Sequence, residues 1–270
     1  MDKKSKYKCK FPVQFFSSIF KRLLYSPISY QLLKKESKEL AKYDPDKKLF
    51  LSLYYFLSHF SKLSNTIVII DNNSSKVYTE IVKLFKNIKF HLYTPTLIEE
   101  YKNNPNITHF LLNKTSDAAV LNEEQINKYK YTNILMVCNY LGLTKEDETI
   151  LNYLEHFKQY VLKIKPIKSM IKFRLPFSEE HFCENKFLVG SKCDLLYLNG
   201  QMLLPAYSQY ISNETYLILD QNPSIKKYDC VEYEEKMFYH NFVVRNKRIE
   251  YRGKNYTWDE MQECAILNKI

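Results

Sequence analysis

With 270 residues, 45% of them hydrophobic and 26% charged, the chain has the composition of a folded α/β-sized domain, which excludes an intrinsically disordered protein. No run reaches the ~18 consecutive apolar residues of a membrane span, and the six cysteines form no Cys-x-x-Cys pair, so neither a spanning helix nor a disulfide or zinc framework is expected. A formal net charge of +10 leaves two readings, a solvated basic surface or an anionic partner.

Residues 1–24 read as a basic arm, KKSKYKCK followed by the apolar FPVQFFSSIF. Lys21-Arg22 follows and no small-residue cleavage site is evident, so a cytoplasmic protein without a signal peptide is expected. Leu49–Leu63 has helical apolar spacing and leads into TIVII at Thr66–Ile70, a run of β-branched residues leading into a loop, DNNSS. Lys76–Phe85 repeats apolar residues at three and four, the pattern of a helix packed on that strand. Further strands are expected at Lys89–Tyr93, His109–Asn113, Asn133–Val137 and Ser169–Phe173, with an amphipathic helix at Glu146–Leu162 before the last of these. Leu195–Leu204 and Tyr216–Leu219 then follow as strands with little helix between them, and helices resume at Glu232–Val243 and Trp258–Leu267. Alternation of strand and helix with a hairpin-like end predicts one α/β domain over 25–270, its sheet mostly parallel with an antiparallel edge and helices on both faces.

The positive charge is clustered at Lys3–Lys10, Lys163–Arg174 and Arg245–Lys254, among 23 tyrosines and 17 phenylalanines. Cations that hold phosphates beside rings that stack on bases suit single-stranded nucleic acid. An AT-rich genome would enrich lysine and tyrosine without any such cause. The RNA-binding candidates are Lys168, Arg174, Arg245, Lys247 and Arg248. His181-x-Cys183 is the nearest approach to a metal pair, and no metal site is expected.

In an open α/β sheet a ligand binds beyond the carboxyl ends of the strands, where this chain places DNNSS, Tyr93–Pro95, Cys138–Asn139 and KFRLPF at Lys172–Phe177. KFRLPF, YEEKMFYHNFVVRN at Tyr233–Asn246 and, more loosely, AYSQYISNETYLIL resemble segments of the poxvirus cap-specific mRNA 2′-O-methyltransferases, which double as the small, processivity subunit of the viral poly(A) polymerase. KYDPDKKLFLSLYYFLSHF at Lys42–Phe60 is similar to the helix before that family's first strand. The resemblance implies a Rossmann-like S-adenosylmethionine-methyltransferase fold. It further implies two partners, single-stranded or capped mRNA and the polymerase catalytic subunit in a heterodimer, in a viral factory or virion.

The family's catalytic lysine–aspartate–lysine–glutamate set falls, by resemblance, on Lys48, Asn139, Lys172 and Glu214. Its chemistry needs the central lysine neutral so that it takes the ribose 2′-hydroxyl proton; Asn139 keeps the aspartate's size and loses its charge. The cofactor turn is glycine-bearing in the family, and here it is Asp71, Asn72, Asn73 and Ser74, with no glycine before Gly142. The ribose acid at the end of the second strand is replaced by Tyr93 and Thr94. The cap pocket is implied at Tyr25 and Phe177, which would sandwich the cationic base, and at Glu179 and Glu234, which would accept its N–H groups. The expectation is therefore an RNA-binding, catalytically degenerate subunit with no bound cofactor. An active methyltransferase using S-adenosylmethionine is the alternative, and a viral interaction protein without chemistry is the third reading.

Overall fold

A computed structural model of the chain describes residues 42–71, 76–96, 98–114, 119–140, 147–175, 194–209, 214–251 and 253–267. The chain divides into two compact units. A sheet unit comprises His59–Leu204 and Glu214–Tyr233, and a terminal unit comprises Met1–Ser58, Pro205–Asn213 and Glu234–Ile270.

In the sheet unit, β1 (Thr66–Ile70) pairs in parallel with β2 (Lys89–Thr94) on one side and with β6 (Leu135–Cys138) on the other. A strand flanked on both edges and covered on both faces reads as an unbroken apolar run, and Ile67, Val68, Ile69 and Ile70 are all buried. The expectation of TIVII as a central parallel strand holds. Parallel pairing needs crossovers. Between β1 and β2 it is α2 (Val77–Leu84), which buries Val77, Tyr78, Ile81 and Val82 at helical spacing. The short α3 (Glu99–Lys102) precedes β3 (Ile107–Leu111) at the sheet edge.

A small ribbon of β4 (Asn113–Lys114) and β5 (Ala119–Val120) leads into α4 (Glu123–Tyr129). Asn122 and Gln125 close a capping box at the start of α4, each side chain accepting from the other's backbone N–H. The long α5 (Asp147–Ile164) crosses to β7 (Lys168–Phe173), parallel to β6.

The expected strand at Leu195–Leu204 is in fact two strands in two different sheets. β8 (Asp194–Leu198) pairs with β11 (Ile225–Asp229) in a separate ribbon, whereas β9 (Gln201–Leu203) joins the main sheet beside β10 (Thr215–Asp220). The break falls at Asn199-Gly200. Asn199 donates its backbone N–H to Ser224 O at 2.7 Å, and a Cβ on Gly200 would lie 2.6 Å from the Ile218 carbonyl oxygen, so only glycine lets the chain pass that close. The main sheet runs β3-β2-β1-β6-β7-β10-β9, with β10 antiparallel to both neighbours. This is the expected Rossmann-like methyltransferase fold, mostly parallel with an antiparallel edge. Among the described residues no helix is long and apolar enough to cross a membrane.

The terminal unit draws on α1 (Pro45–Phe60), α6 (Cys230–Tyr239) with its continuation as a π-helical turn over His240–Val244, the hairpin β12 (Ile249–Tyr251) and β13 (Lys254–Tyr256), and α7 (Trp258–Leu267). Its centre is Arg245, which is fully buried. Nε and Nη2 donate to the two carboxylate oxygens of Asp259 at 2.9 and 2.7 Å, Nη1 donates to Ser208 O at 2.8 Å, and Nη2 reaches Lys42 O at 3.5 Å. The planar fork of arginine matches a carboxylate with two bonds, and a buried guanidinium left without that partner would cost about 3–5 kcal/mol.

His240 is buried beside this clamp with its ring edge-on to Trp258, centroids 4.6 Å apart. Burial, and then the Arg245 charge, lower its pKa to about 3. The folded unit thus holds His240 neutral, while the unfolded chain takes up a proton near the ordinary value of 6.5. Its contribution to stability is complete above that value and is lost as pH falls from about 6.5 towards 3. In melting curves between pH 7.5 and 4, His240→Phe should flatten the loss of stability with acid; an unchanged pH dependence would show that other groups set it.

Candidate functional site

The strand order reverses direction between β1 and β6, and a ligand of a doubly wound sheet sits beyond the carboxyl ends of such a pair. Asp71 follows β1 there and Asn139 follows β6, with Asn139 donating its backbone N–H to Ile70 O at 2.9 Å. Both side chains are buried. Asp71 Oδ2 accepts from the Tyr78 hydroxyl in a short hydrogen bond, and from Asn139 Nδ2 at 3.0 Å. Asn139 Oδ1 accepts in turn from the Tyr216 hydroxyl at 2.8 Å. Burial, followed by the Asp71 charge, pushes the Tyr78 hydroxyl well above its usual pKa, so it remains a donor. The network joins β1, α2, β6 and β10, with the Tyr216 side chain reaching over β7.

Lys172 pairs with Tyr216 in the β7–β10 register, so the two side chains share a face. Lys172 Nζ lies 3.3 Å from Glu214 Oε2, and both side chains are mostly buried. The structure therefore brings Lys172, Glu214 and Asn139 to one edge of the sheet. Lys48, the fourth member implied by resemblance, is a buried residue of α1 in the terminal unit. Glu234, implied for the cap pocket, is a buried residue of α6 in that same unit. Tyr25, Phe177 and Glu179 lie outside the described residues, as do Asn72, Asn73 and Ser74 of the cofactor turn.

At the end of β2 the two residues standing where the family places an acid are both committed inward. Tyr93 stacks on Phe110 with centroids 4.7 Å apart and shares a 2.8 Å hydrogen bond with the Tyr129 hydroxyl. Thr94 Oγ1 donates to Thr96 O at 2.7 Å and lies 2.6 Å from His109 Nε2. A ribose needs acceptors for its hydroxyls, and neither side chain supplies a carboxylate.

The basic segments read differently in three dimensions. Arg245 is a correction: counted among the RNA-binding candidates for its charge, it is sealed inside the terminal unit and bonded to Asp259. Lys168 is ion-paired with Asp220, Lys163 with Glu123 at 2.7 Å and Lys172 with Glu214, so much of the charge on and before β7 is already neutralised. Arg174 is half-buried, whereas Lys247 and Arg248 are exposed in the terminal unit. Sequence reasoning missed Tyr78 and Tyr216, which complete the Asp71–Asn139 network. The available signal was helical spacing for Tyr78, on the sheet-facing side of α2, and strand alternation for Tyr216, two residues beyond Glu214.

A mostly parallel sheet with a reversed strand near one edge, and a polar cluster at its switch point, defines a methyltransferase-type fold. The chain belongs to the poly(A) polymerase regulatory subunit family, which matches residues 8–270. No curated protein matches it by sequence. Similar solved structures include coclaurine N-methyltransferase bound to N-methylheliamine and SAH, at 11% identity, covering 60% of this chain and 58% of that one, with a TM-score of 0.28. An S-adenosylmethionine-dependent methyltransferase from Clostridium acetobutylicum matches at 9% identity over 88% and 90% of the two chains, with a TM-score of 0.31. A Pyrococcus horikoshii protein assigned as an RNA methyltransferase matches at 10% identity over 79% and 96%, with a TM-score of 0.30. The family implies a poly(A) polymerase as partner.

Asn139 falls by resemblance on the family's aspartate position, and its geometry makes a definite demand. The amide donates to Asp71 and accepts from Tyr216 at once, which an ionised carboxylate, acceptor-only, does not do. In Asn139→Asp a second carboxylate faces Asp71, one of the two binds a proton more readily in the folded state, and stability is lost as pH rises through that raised pKa. The variant should melt below the parent, with a gap wider at pH 8 than at pH 5, and thermal unfolding at the two values checks this.

Proposed function

We propose that this chain is an RNA-binding regulatory subunit that promotes processive synthesis by a viral poly(A) polymerase in the cytoplasm, and that it does so without methyl transfer. The observation that carries this reading is the closed Tyr78–Asp71–Asn139–Tyr216 network at the switch point. Side chains that would serve a cofactor and a methyl acceptor are bonded to one another. Tyr93 and Thr94, committed to Tyr129 and His109, support the same conclusion for the ribose end of S-adenosylmethionine. The glycine-free turn after β1 agrees with it in sequence.

RNA binding rests on the +10 charge and on exposed cations such as Lys247 and Arg248. Cap recognition is the finer proposal, in which Tyr25 and Phe177 sandwich the methylated base and Glu179 and Glu234 take its N–H groups. One observation favours the second reading, an active cap 2′-O-methyltransferase: the Lys172–Glu214 pair keeps the family's residue types in contact.

Calorimetry and melting separate the two. S-adenosylmethionine should give neither a binding heat nor a rise in Tm, whereas a ligand at 100 times its Kd stabilises a protein by about 2.7 kcal/mol. A cap analogue should raise Tm, and Phe177→Ala should abolish that rise. Methylation of capped RNA by the unsubstituted chain would overturn the proposal.

A further inference from the structure

Several lysines of the sheet unit have a carboxylate in contact, Lys102 with Glu99 beside β3 among them. Lys163, Lys168, Lys172 and Lys227 pair with Glu123, Asp220, Glu214 and Asp194. Among the described residues Lys89, Lys128 and Lys130 enter no ion pair. Lys128 Nζ lies 4.1 Å from the centroid of Phe110 and 5.5 Å from that of Tyr129, and Lys130 Nζ lies 5.2 Å from that of Tyr131. An ammonium over a ring keeps its outer side open to an anion. Glu124, one turn before Lys128 on α4, is the nearest carboxylate in sequence. His91, half-buried and bonded to the Tyr129 hydroxyl at 2.8 Å, has its pKa lowered by burial and then by Lys128 and Lys89. Both lysines are thus near enough for their charge to be felt at one point on the sheet.

Tyr131 adds a second, independent feature. It is 85% exposed, among large apolar side chains that are mostly buried, and its φ of 65° places it in the left-handed region. A non-glycine residue there is strained, and the ring's contact is the Lys130 ammonium rather than the core. The turn is held by Thr132, whose N–H and hydroxyl both donate to Tyr129 O, at 3.1 and 2.6 Å. An aromatic ring is therefore held out into solvent beside uncompensated cations. Polyanion binding needs the cations alone, whereas bases need the ring as well.

We propose that the surface where β2 and β3 meet the end of α4, formed by Lys89, Lys128, Lys130 and Tyr131, is a contact site for single-stranded RNA, with the lysines on phosphates and Tyr131 stacked on a base. This rests on the RNA-binding reading above and assigns it a site on the far side of β1 and β6 from β7, where sequence had placed the charge.

The test uses the full chain, a fluorescent oligouridylate and heparin as the base-free polyanion, with Lys128→Glu/Lys130→Glu, Tyr131→Ala and Lys247→Glu/Arg248→Glu made in parallel. The substituted side chains are exposed or lie at the surface, and unchanged melting temperatures confirm folding. The Lys128/Lys130 reversal should weaken RNA binding on the order of tenfold or more and make the salt slope shallower by about two. Tyr131→Ala should weaken RNA binding on the order of tenfold and leave heparin binding unchanged. Equal losses for RNA and heparin in Tyr131→Ala, or none for either, would overturn the stacking site. If the Lys128/Lys130 reversal leaves RNA affinity and salt slope intact while the Lys247/Arg248 reversal reduces them, this site is wrong and the RNA reading stands. If the reversal instead abolishes association with the polymerase catalytic subunit at unchanged RNA affinity, the surface binds protein and the proposal falls. No RNA binding by the unsubstituted chain would remove both.

Discussion

The carboxylate of Asp71 is the charge around which the sheet unit is arranged. A buried carboxylate persists only if donors surround it, and here the donors come from different parts of the chain, the Tyr78 hydroxyl of α2 and the Asn139 amide after β6. Asn139 is held in its orientation by Tyr216, from the strand on the far side of β7. The crossover helix, the two central parallel strands and the antiparallel strand are therefore tied at one point. That point is also the natural ligand position of the fold.

The same logic explains why Asn139 is informative. Seen in sequence, it is an aspartate position that has lost a charge. In the structure the amide donates to Asp71 at any pH, whereas a carboxyl there does so only while it holds a proton. The Lys172–Glu214 pair lies at the same edge, and with the amide network it defines a polar edge whose members satisfy one another.

Much of the sheet was legible. TIVII, the Lys89 and Ser169 strands, and the helices at 77–84, 147–164 and 258–267 follow from apolar periodicity, because each buries a defined face. The Leu195–Leu204 segment misled because an apolar run carries no mark of which sheet it joins; that is decided by the close approach of Gly200 to Ile218. Charge was the least legible property. Arg245 looked like part of a solvated basic run, and its partner Asp259 is set by tertiary packing across the β12–β13 hairpin. Lys89 and Lys128 are far apart in sequence and are brought near each other only by α4 packing on β2. Local density of lysine is a poor guide to potential when the acids that cancel it come from other strands.

The Arg245 clamp also bears on how the molecule is made. Its guanidinium gathers Lys42 and Ser208 carbonyls with the Asp259 carboxylate, so the terminal unit has its first and last pieces at opposite ends of the described chain. On a ribosome Lys42 emerges long before Asp259, so the clamp closes only once Asp259 has been synthesised. Nearly the whole sheet unit is complete by Tyr233 and has all its partners before then. Synthesis from the amino end therefore favours closing the sheet first and the clamp last, and a nascent chain halted before α7 would carry Arg245 without its carboxylate partner.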